Sequence, residues 1–301
     1  MGANAIRSWA FLDAAEFAPG SVAFQYSANG RIAINDGPDG LERLDALIAA
    51  AEEFGIALIL PLVNYWPDFG GMPMYLTWLG IEGDVANFYS SPEARRAYRA
   101  WVEHLLTRRN SITGRLYSEE PGILAWELAN EPRCAIPGGR DLLLDWTAEM
   151  SAFAKHLDPN HLVALGDEGL FYRRGRGHLY DGTYGVDFEA VLAIDTIDFG
   201  TYHFYPQHWG LADNLEFAEQ WISDHVAAGN RAGKPVLLEE YGLKIDGSSV
   251  CSAAERDGWI DVWLRSVAQA GGAGALRWML GCDAPDTCGY RDDYTIHPSL
   301  V

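Results

Sequence analysis

Two glutamates stand at comparable places in this chain and invite a chemical reading. One lies in Trp126-Glu127-Leu128-Ala129-Asn130-Glu131-Pro132-Arg133, where an acidic residue follows a short apolar run and precedes a proline. The other lies in Val236-Leu237-Leu238-Glu239-Glu240-Tyr241-Gly242, where carboxylates again follow apolar residues. Similar runs end in Arg7 and Trp9, in Thr201-Tyr202-His203-Phe204-Tyr205-Pro206, and in Arg277-Trp278. Two carboxylates among Trp and Tyr suit the hydrolysis of a glycosidic bond. Its alkoxide is a poor leaving group, so one carboxylic acid must protonate it while a carboxylate meets the developing oxocarbenium charge. Nearby Arg and His split the pKa values of such a pair. An Asn beside the acid can hold the sugar 2-hydroxyl, a contact that strengthens in the transition state. Taken singly, each residue has a structural reading, as a satisfied carboxylate or a core Trp. Their joint occurrence at matching places carries the argument.

Seven short apolar runs would position these groups: Ala5–Phe11, Ile56–Val63, Ile123–Leu128, Leu162–Leu165, Ile197–His203, Val236–Glu240 and Gly274–Met279. They are short and rich in β-branched and aromatic residues, so they read as buried strands. Amphipathic segments separate them: Gly40–Phe54, Pro92–Arg109, Asp141–His156, Asn214–Ala228 and Ala253–Ala270. Strands alternating with helices predict parallel pairing, because only a long crossover returns the chain to the same end of a sheet. Functional side chains then collect where strands end and loops begin. Val22–Asn35 differs, and its Asn29-Gly30 predicts a hairpin with a two-residue turn.

The chain has 301 residues, 49% of them hydrophobic, which excludes general disorder and supports one domain over 1–301. With 22 basic and 42 acidic residues the net charge is −20, so neither nucleic acid nor an anionic membrane surface is an expected partner. No apolar run approaches the roughly 20 residues of a membrane span. The N-terminus lacks the basic and apolar regions of a signal peptide. Cys134, Cys251, Cys282 and Cys288 fit no zinc spacing, and both disulfides and free thiols stay open. Asp292-Asp293 reads as a solvated acidic turn rather than a calcium site.

The motifs together resemble glycoside hydrolase family 5, a family of (β/α)8 retaining glycosidases. The Trp126–Cys134 segment looks like the acid/base segment of its endo-β-1,4-mannanases. Asp198–Pro206 looks like their sixth-strand segment and Leu238–Gly242 like their nucleophile segment. Val63-Asn64-Tyr65-Trp66 with Asp68-Phe69-Gly70-Gly71 looks like their third-strand loop. The resemblance runs from about Ala5 to Met279. It implies Glu131 as acid/base and Glu240 as nucleophile. It implies that Arg7 orients the nucleophile, Asn130 touches the sugar, and His203 and Tyr205 hydrogen-bond nucleophile and sugar. Trp278 would floor the central subsite, Arg133 would reach the leaving-group side, and Trp66 and Trp209 would serve outer subsites. Double displacement of this kind requires no metal or organic cofactor. The implied substrate is a β-linked polysaccharide, mannan above all, acted on outside the cell. An endo-β-1,4-glucanase, an exo-β-mannosidase or a non-catalytic polysaccharide binder are the alternatives.

The chain also departs from that family. Its acid/base follows the third recognisable strand and its nucleophile the sixth, one fewer than the family pattern in each case. Seven of eight β/α units are therefore expected, an incomplete barrel lacking the first strand and helix. An open barrel leaves unpaired strand edges, so a partner subunit, as in a homo-oligomer, a swapped segment or a shifted loop is expected to cover the gap.

Overall fold

The structure, a computed structural model, describes residues 2–18, 20–173, 175–211, 215–244, 252–281 and 292–296. They divide into two compact units, one over residues 3–200 and one made of Gly2 with the described residues from 201 onward. In the first unit the order is β1 (Ala5–Arg7), β2 (Asp13–Ala14), β3 (Gln25–Ala28), β4 (Arg31–Ile34), α1 (Glu42–Glu53), β5 (Ala57–Pro61), α2 (Gly71–Leu79), α3 (Ala86–Ser90), α4 (Pro92–Leu106), β6 (Ile123–Glu127), α5 (Gly139–Leu157), β7 (Leu162–Ala164) and α6 (Phe188–Leu192). Strands β1, β5, β6 and β7 pair in that order, all parallel, as the alternation predicts. In the second unit β8 (Gly200–Phe204), α7 (Leu215–Ala232), β9 (Val236–Tyr241), α8 (Ala253–Ala270) and β10 (Gly274–Ala275) follow, with β9 between β8 and β10. Each of the seven apolar runs holds one of the seven strands of these two sheets.

Local chemistry explains several boundaries. Helix α4 starts where the Ser91 hydroxyl accepts from the amides of Glu93 and Ala94, with Pro92 in the first turn. Its buried face carries Ala94, Tyr98, Trp101, Val102, Leu105 and Leu106, a period near 3.6. Helix α8 opens on a Ser252–Glu255 capping box and closes on Gly271 at φ 86°. The hairpin is as expected: Ala28 pairs with Arg31, and Asn29 and Gly30 turn with φ of 53° and 72°. Its first strand also pairs parallel with β2, a contact between residues too short to show a pattern in sequence.

The first and last strands are shorter than their apolar runs. Their ladders nevertheless continue on one side, through Ser8 N–H to Ile59 O, Ala10 N–H to Pro61 O and Leu276 N–H to Leu238 O. Strand β6 is anchored from its outer face, where the Trp126 indole donates to Asp158 at 2.7 Å and Asp158 meets His161 at 2.6 Å. Alternation along a strand then sends Glu127 to the opposite face. Among the described residues no helix is long and apolar enough to cross a membrane. Cys134 is a buried thiol, which burial pushes up to about 11. Cys251, Cys282 and Cys288, on which the disulfide question turns, lie outside the described residues.

Candidate active site

In the first unit, five of the expected residues converge where β1, β5 and β6 end. Arg7 donates through Nε to Glu127 Oε2 at 2.8 Å and through a terminal nitrogen to Asn130 Oδ1 at 2.9 Å. Asn130 in turn donates to Asn64 Oδ1 at 3.0 Å. Its backbone is clamped by Asn130 N–H to Val63 O at 2.8 Å and Tyr65 N–H to Asn130 O at 3.0 Å. Both partners of the Arg7–Glu127 pair are desolvated, so removing either would leave a costly buried charge.

Glu131 follows directly, with its backbone in the left-handed region at φ 51°. A residue other than glycine adopts this region only when its surroundings hold it there. Here Glu131 N–H donates to Gly166 O at 2.8 Å. Gly166 has φ 82°, and a Cβ on it would lie 2.1 Å from Ala129 O, so glycine is required on the facing loop. The Glu131 carboxylate accepts from the Trp66 indole N–H at 2.5 Å. The expectation placed Trp66 further out, whereas the structure sets its ring against the acid itself. Arg133 forms a bidentate pair with Glu168, both contacts 2.6 Å. Its guanidinium lies 5.1 Å from the Trp66 ring and 4.4 Å from that of Tyr184. Burial opposes its charge, but the Glu168 hydrogen bonds and charge, with Glu131 also contributing, hold it above the ordinary arginine value.

The second unit gathers His203, Tyr205, Glu240 and Trp278 around the ends of β8, β9 and β10. Glu240 is buried and accepts from the Tyr205 hydroxyl at 2.7 Å. The His203 imidazole approaches both carboxylates of β9, with Nε2 3.4 Å from Glu239 and Nδ1 3.8 Å from Glu240. Glu240 precedes Tyr241-Gly242, and Gly242 leaves room that a Cβ would close, 2.7 Å from the Tyr294 ring and 3.0 Å from Trp278 O. Trp278 is tied down by its N–H to Tyr241 O at 3.1 Å and its indole to Asp292 Oδ2 at 2.7 Å. Asp292 is therefore not a merely solvated acid, since it also accepts from the Tyr294 amide at 2.9 Å. Trp209 sits apart from this group, its ring packed on Phe204 and Trp221 at 5.8 and 5.5 Å.

A family model described as GH family 5 beta-mannosidase-like matches residues 1–270. The chain belongs to glycoside hydrolase family 5. It is 38% identical over 297 residues to mannan endo-1,4-beta-mannosidase A of Podospora anserina, covering 98% of this chain and 74% of that protein. It is also 38% identical over 305 residues to mannan endo-1,4-beta-mannosidase F of Aspergillus fumigatus, of which it spans 64%. Among solved structures, the endo-1,4-beta-mannanase of Rhizomucor miehei superposes with a TM-score of 0.87 at 37% identity, over 98% of this chain and 81% of that one. The fold class is thus the (β/α)8 TIM-barrel type of family 5, with seven barrel-type strands among the described residues.

Sequence reasoning gave no site role to Glu127, Asn64, Glu168, Glu239 or Tyr184, and it read Asp292 only as part of a solvated turn. Glu168 had a legible signal, because it follows the fourth apolar run just as Glu131 follows the third. Asn64 stood in a quoted motif without a role. The others are recognisable only by their partners.

Proposed function

We propose that this chain is an endo-acting, retaining β-1,4-mannanase, with Glu131 as acid/base and Glu240 as nucleophile. One observation carries the reading: likeness to mannan endo-1,4-beta-mannosidases over 98% of the chain. The family model runs from 1 to 270, across the division between the two units, which supports one catalytic domain over 1–301. A polymeric substrate cannot enter a cell, which supports action outside it.

The chemistry is double displacement. In the first step the Glu240 carboxylate attacks the anomeric carbon, and the glycosidic bond breaks as the protonated Glu131 gives its proton to the leaving oxygen. In the second step Glu131, now a carboxylate, takes a proton from water, which attacks the anomeric carbon and releases Glu240. The configuration is retained. Glu131 is partly exposed, as a group exchanging protons with leaving group and water must be. Tyr205 orients Glu240, and Asn130, fixed by Arg7 and Asn64, is held ready for a sugar hydroxyl. Trp278, pinned by Asp292, offers a flat apolar face to a pyranose ring.

Reducing-sugar release from galactomannan and from carboxymethyl cellulose, measured for this chain and for Glu131→Ala, tests the proposal. Activity on galactomannan that Glu131→Ala abolishes, with oligosaccharides as products, is expected. Preferred release from the cellulose derivative would make the enzyme a glucanase. Mannose alone as product would make it exo-acting, and no activity from a folded sample would leave a binder.

A further inference from the structure

Behind the acid/base loop lies a buried polar network that the chemistry above does not use. Asp13, at the start of β2, is 6% exposed. Its Oδ2 accepts from the Gly71 amide at 3.2 Å, and its own amide donates to Phe69 O at 2.8 Å. Its Oδ1 accepts from the Gln25 side chain at 3.0 Å, and the Gln25 amide is paired with the Tyr75 hydroxyl in turn. Gln25 and Tyr75 are 1% and 0% exposed. Three elements therefore meet on one carboxyl: β2, the hairpin strand β3 and helix α2.

What they hold is a strained turn. Phe69, Gly70 and Gly71 have φ of 60°, 98° and 64°, three successive residues in the left-handed region. The space is closed on both sides. A Cβ on Gly70 would lie 2.3 Å from Asp13 Cβ, and one on Gly71 would lie 2.4 Å from Asn64 O and 2.6 Å from Trp66 O. Met72 N–H donates to Asn64 O at 2.7 Å, and Trp66 N–H donates to Asn64 Oδ1 at 3.2 Å. The turn thus packs directly on the backbone of the residue whose indole reaches Glu131.

We propose that Asp13 is a positioning residue for the acid/base: by fixing the Phe69-Gly70-Gly71 turn it sets the Trp66 indole on the Glu131 carboxylate. The inference rests on the assignment of Glu131 above. A donor on a carboxylate favours its charged form, so the indole bears on the pH at which Glu131 loses the proton it must donate. That proton is read in the alkaline limb of kcat/KM.

The test is the pH profile of kcat/KM on a mannan oligosaccharide for the full chain and five variants. Trp66→Phe removes the donor and should move the alkaline limb upward by on the order of one pH unit. Asp13→Ala should move it the same way by a smaller amount, and in the Trp66→Phe background should move it no further. Asp13→Asn, which keeps an acceptor for the Gly71 amide, should restore the limb. Gln25→Met repeats the test should Asp13→Ala not fold, with the same direction expected. A lower melting temperature with an unmoved limb in these Asp13 or Gln25 variants would overturn the proposal, leaving the network merely structural. An additive shift in the double variant would overturn it too. A limb that Trp66→Phe itself does not move would overturn the proposal, whereas the assignment of Glu131 falls only if Glu131→Ala keeps its activity on mannan.

Discussion

The two carboxylates are held in contrasting ways. Glu131 sits on a loop, in a backbone conformation its residue type disfavours, partly exposed and steadied by an indole N–H and the Gly166 carbonyl. Glu240 sits on a regular strand, buried, with a phenol hydroxyl at 2.7 Å and an imidazole at 3.8 Å. The strand places the second group through ladder hydrogen bonds that any sequence can make. The loop places the first through particular side chains: Asn130, Asn64, Trp66 and, behind them, Asp13. A group that must shuttle protons needs access to water, which strand burial would deny it. A nucleophile needs only orientation and a steady charge. On the proposed assignment, placement by backbone serves the nucleophile, and placement by side chains serves the acid/base.

The largest effects should come from deleting the carboxylates, and they should differ in kind. Glu240→Ala should reduce turnover on mannan by on the order of 10⁵-fold or more, as loss of a covalent nucleophile does elsewhere. Glu131→Ala should cost about 10²–10⁴-fold on mannan, yet far less on an aryl mannoside whose leaving group needs no proton. Azide added to each variant sharpens the contrast. It should give the β-glycosyl azide with Glu131→Ala and the α-glycosyl azide with Glu240→Ala, read by NMR. The same azide anomer from both would break the assignment.

Next in size is the hydroxyl on the nucleophile. Tyr205→Phe should lower kcat by about 10- to 100-fold, the range for losing a hydrogen bond to a charged group, with little change in KM. The two glycines that make room in each half should differ more modestly. Gly166→Ala meets both a positive φ and a carbonyl at 2.1 Å, whereas Gly242→Ala meets only a ring edge and a carbonyl at 3.0 Å. Thermal unfolding should show the larger fall for Gly166→Ala, by about 1–3 kcal/mol for the backbone alone. A larger fall for Gly242→Ala would contradict the view that the loop half is the more strained.

A further effect is one of pH on stability. Burial raises the Asp13 carboxyl to about 7, although the Gln25 and Gly71 hydrogen bonds pull the other way. The folded state therefore binds a proton that the unfolded chain releases near 4. This contribution is complete below pH 4 and is lost as pH rises through about 7. Melting temperatures of wild type and Asp13→Asn across that window should diverge less at low pH than would be expected for a paired carboxylate, with the wild type losing ground as pH rises. A wild type that instead gains on the variant toward pH 7 would show that Asp13 is charged in the fold.

Much of this architecture is legible in the residues. The apolar runs mark β5, β8 and β9 because a strand buried on both faces must be apolar throughout, whereas β1 and β10 are only partly buried; Ala253–Ala270 is bounded as expected because Ser252 and Gly271 are strong local stops. Asn29-Gly30 announces its turn for the same reason. The short helices α2, α3 and α6 escape, since five to nine residues carry too little periodicity. The supports of the site escape for a different reason. Arg7 and Asn130 are 123 positions apart, and Asp13 and Gly71 are 58 apart. No local pattern marks such pairs. Glu127 and Asp13 look like any other acid until the partner is in view.

The polar network behind the acid/base loop is confined to the chain between Asp13 and Tyr75. During synthesis that stretch leaves the ribosome well before Glu131 does, and the β3–β4 hairpin within it depends on contacts a few residues apart, which form within microseconds. The hydrogen bonds that close it onto β2 and α2 lie within that stretch, while Asn64 also meets Asn130 beyond β6. The part of the cradle behind Trp66 is thus translated before the acid itself, and the part supplied by Gly166 only after it.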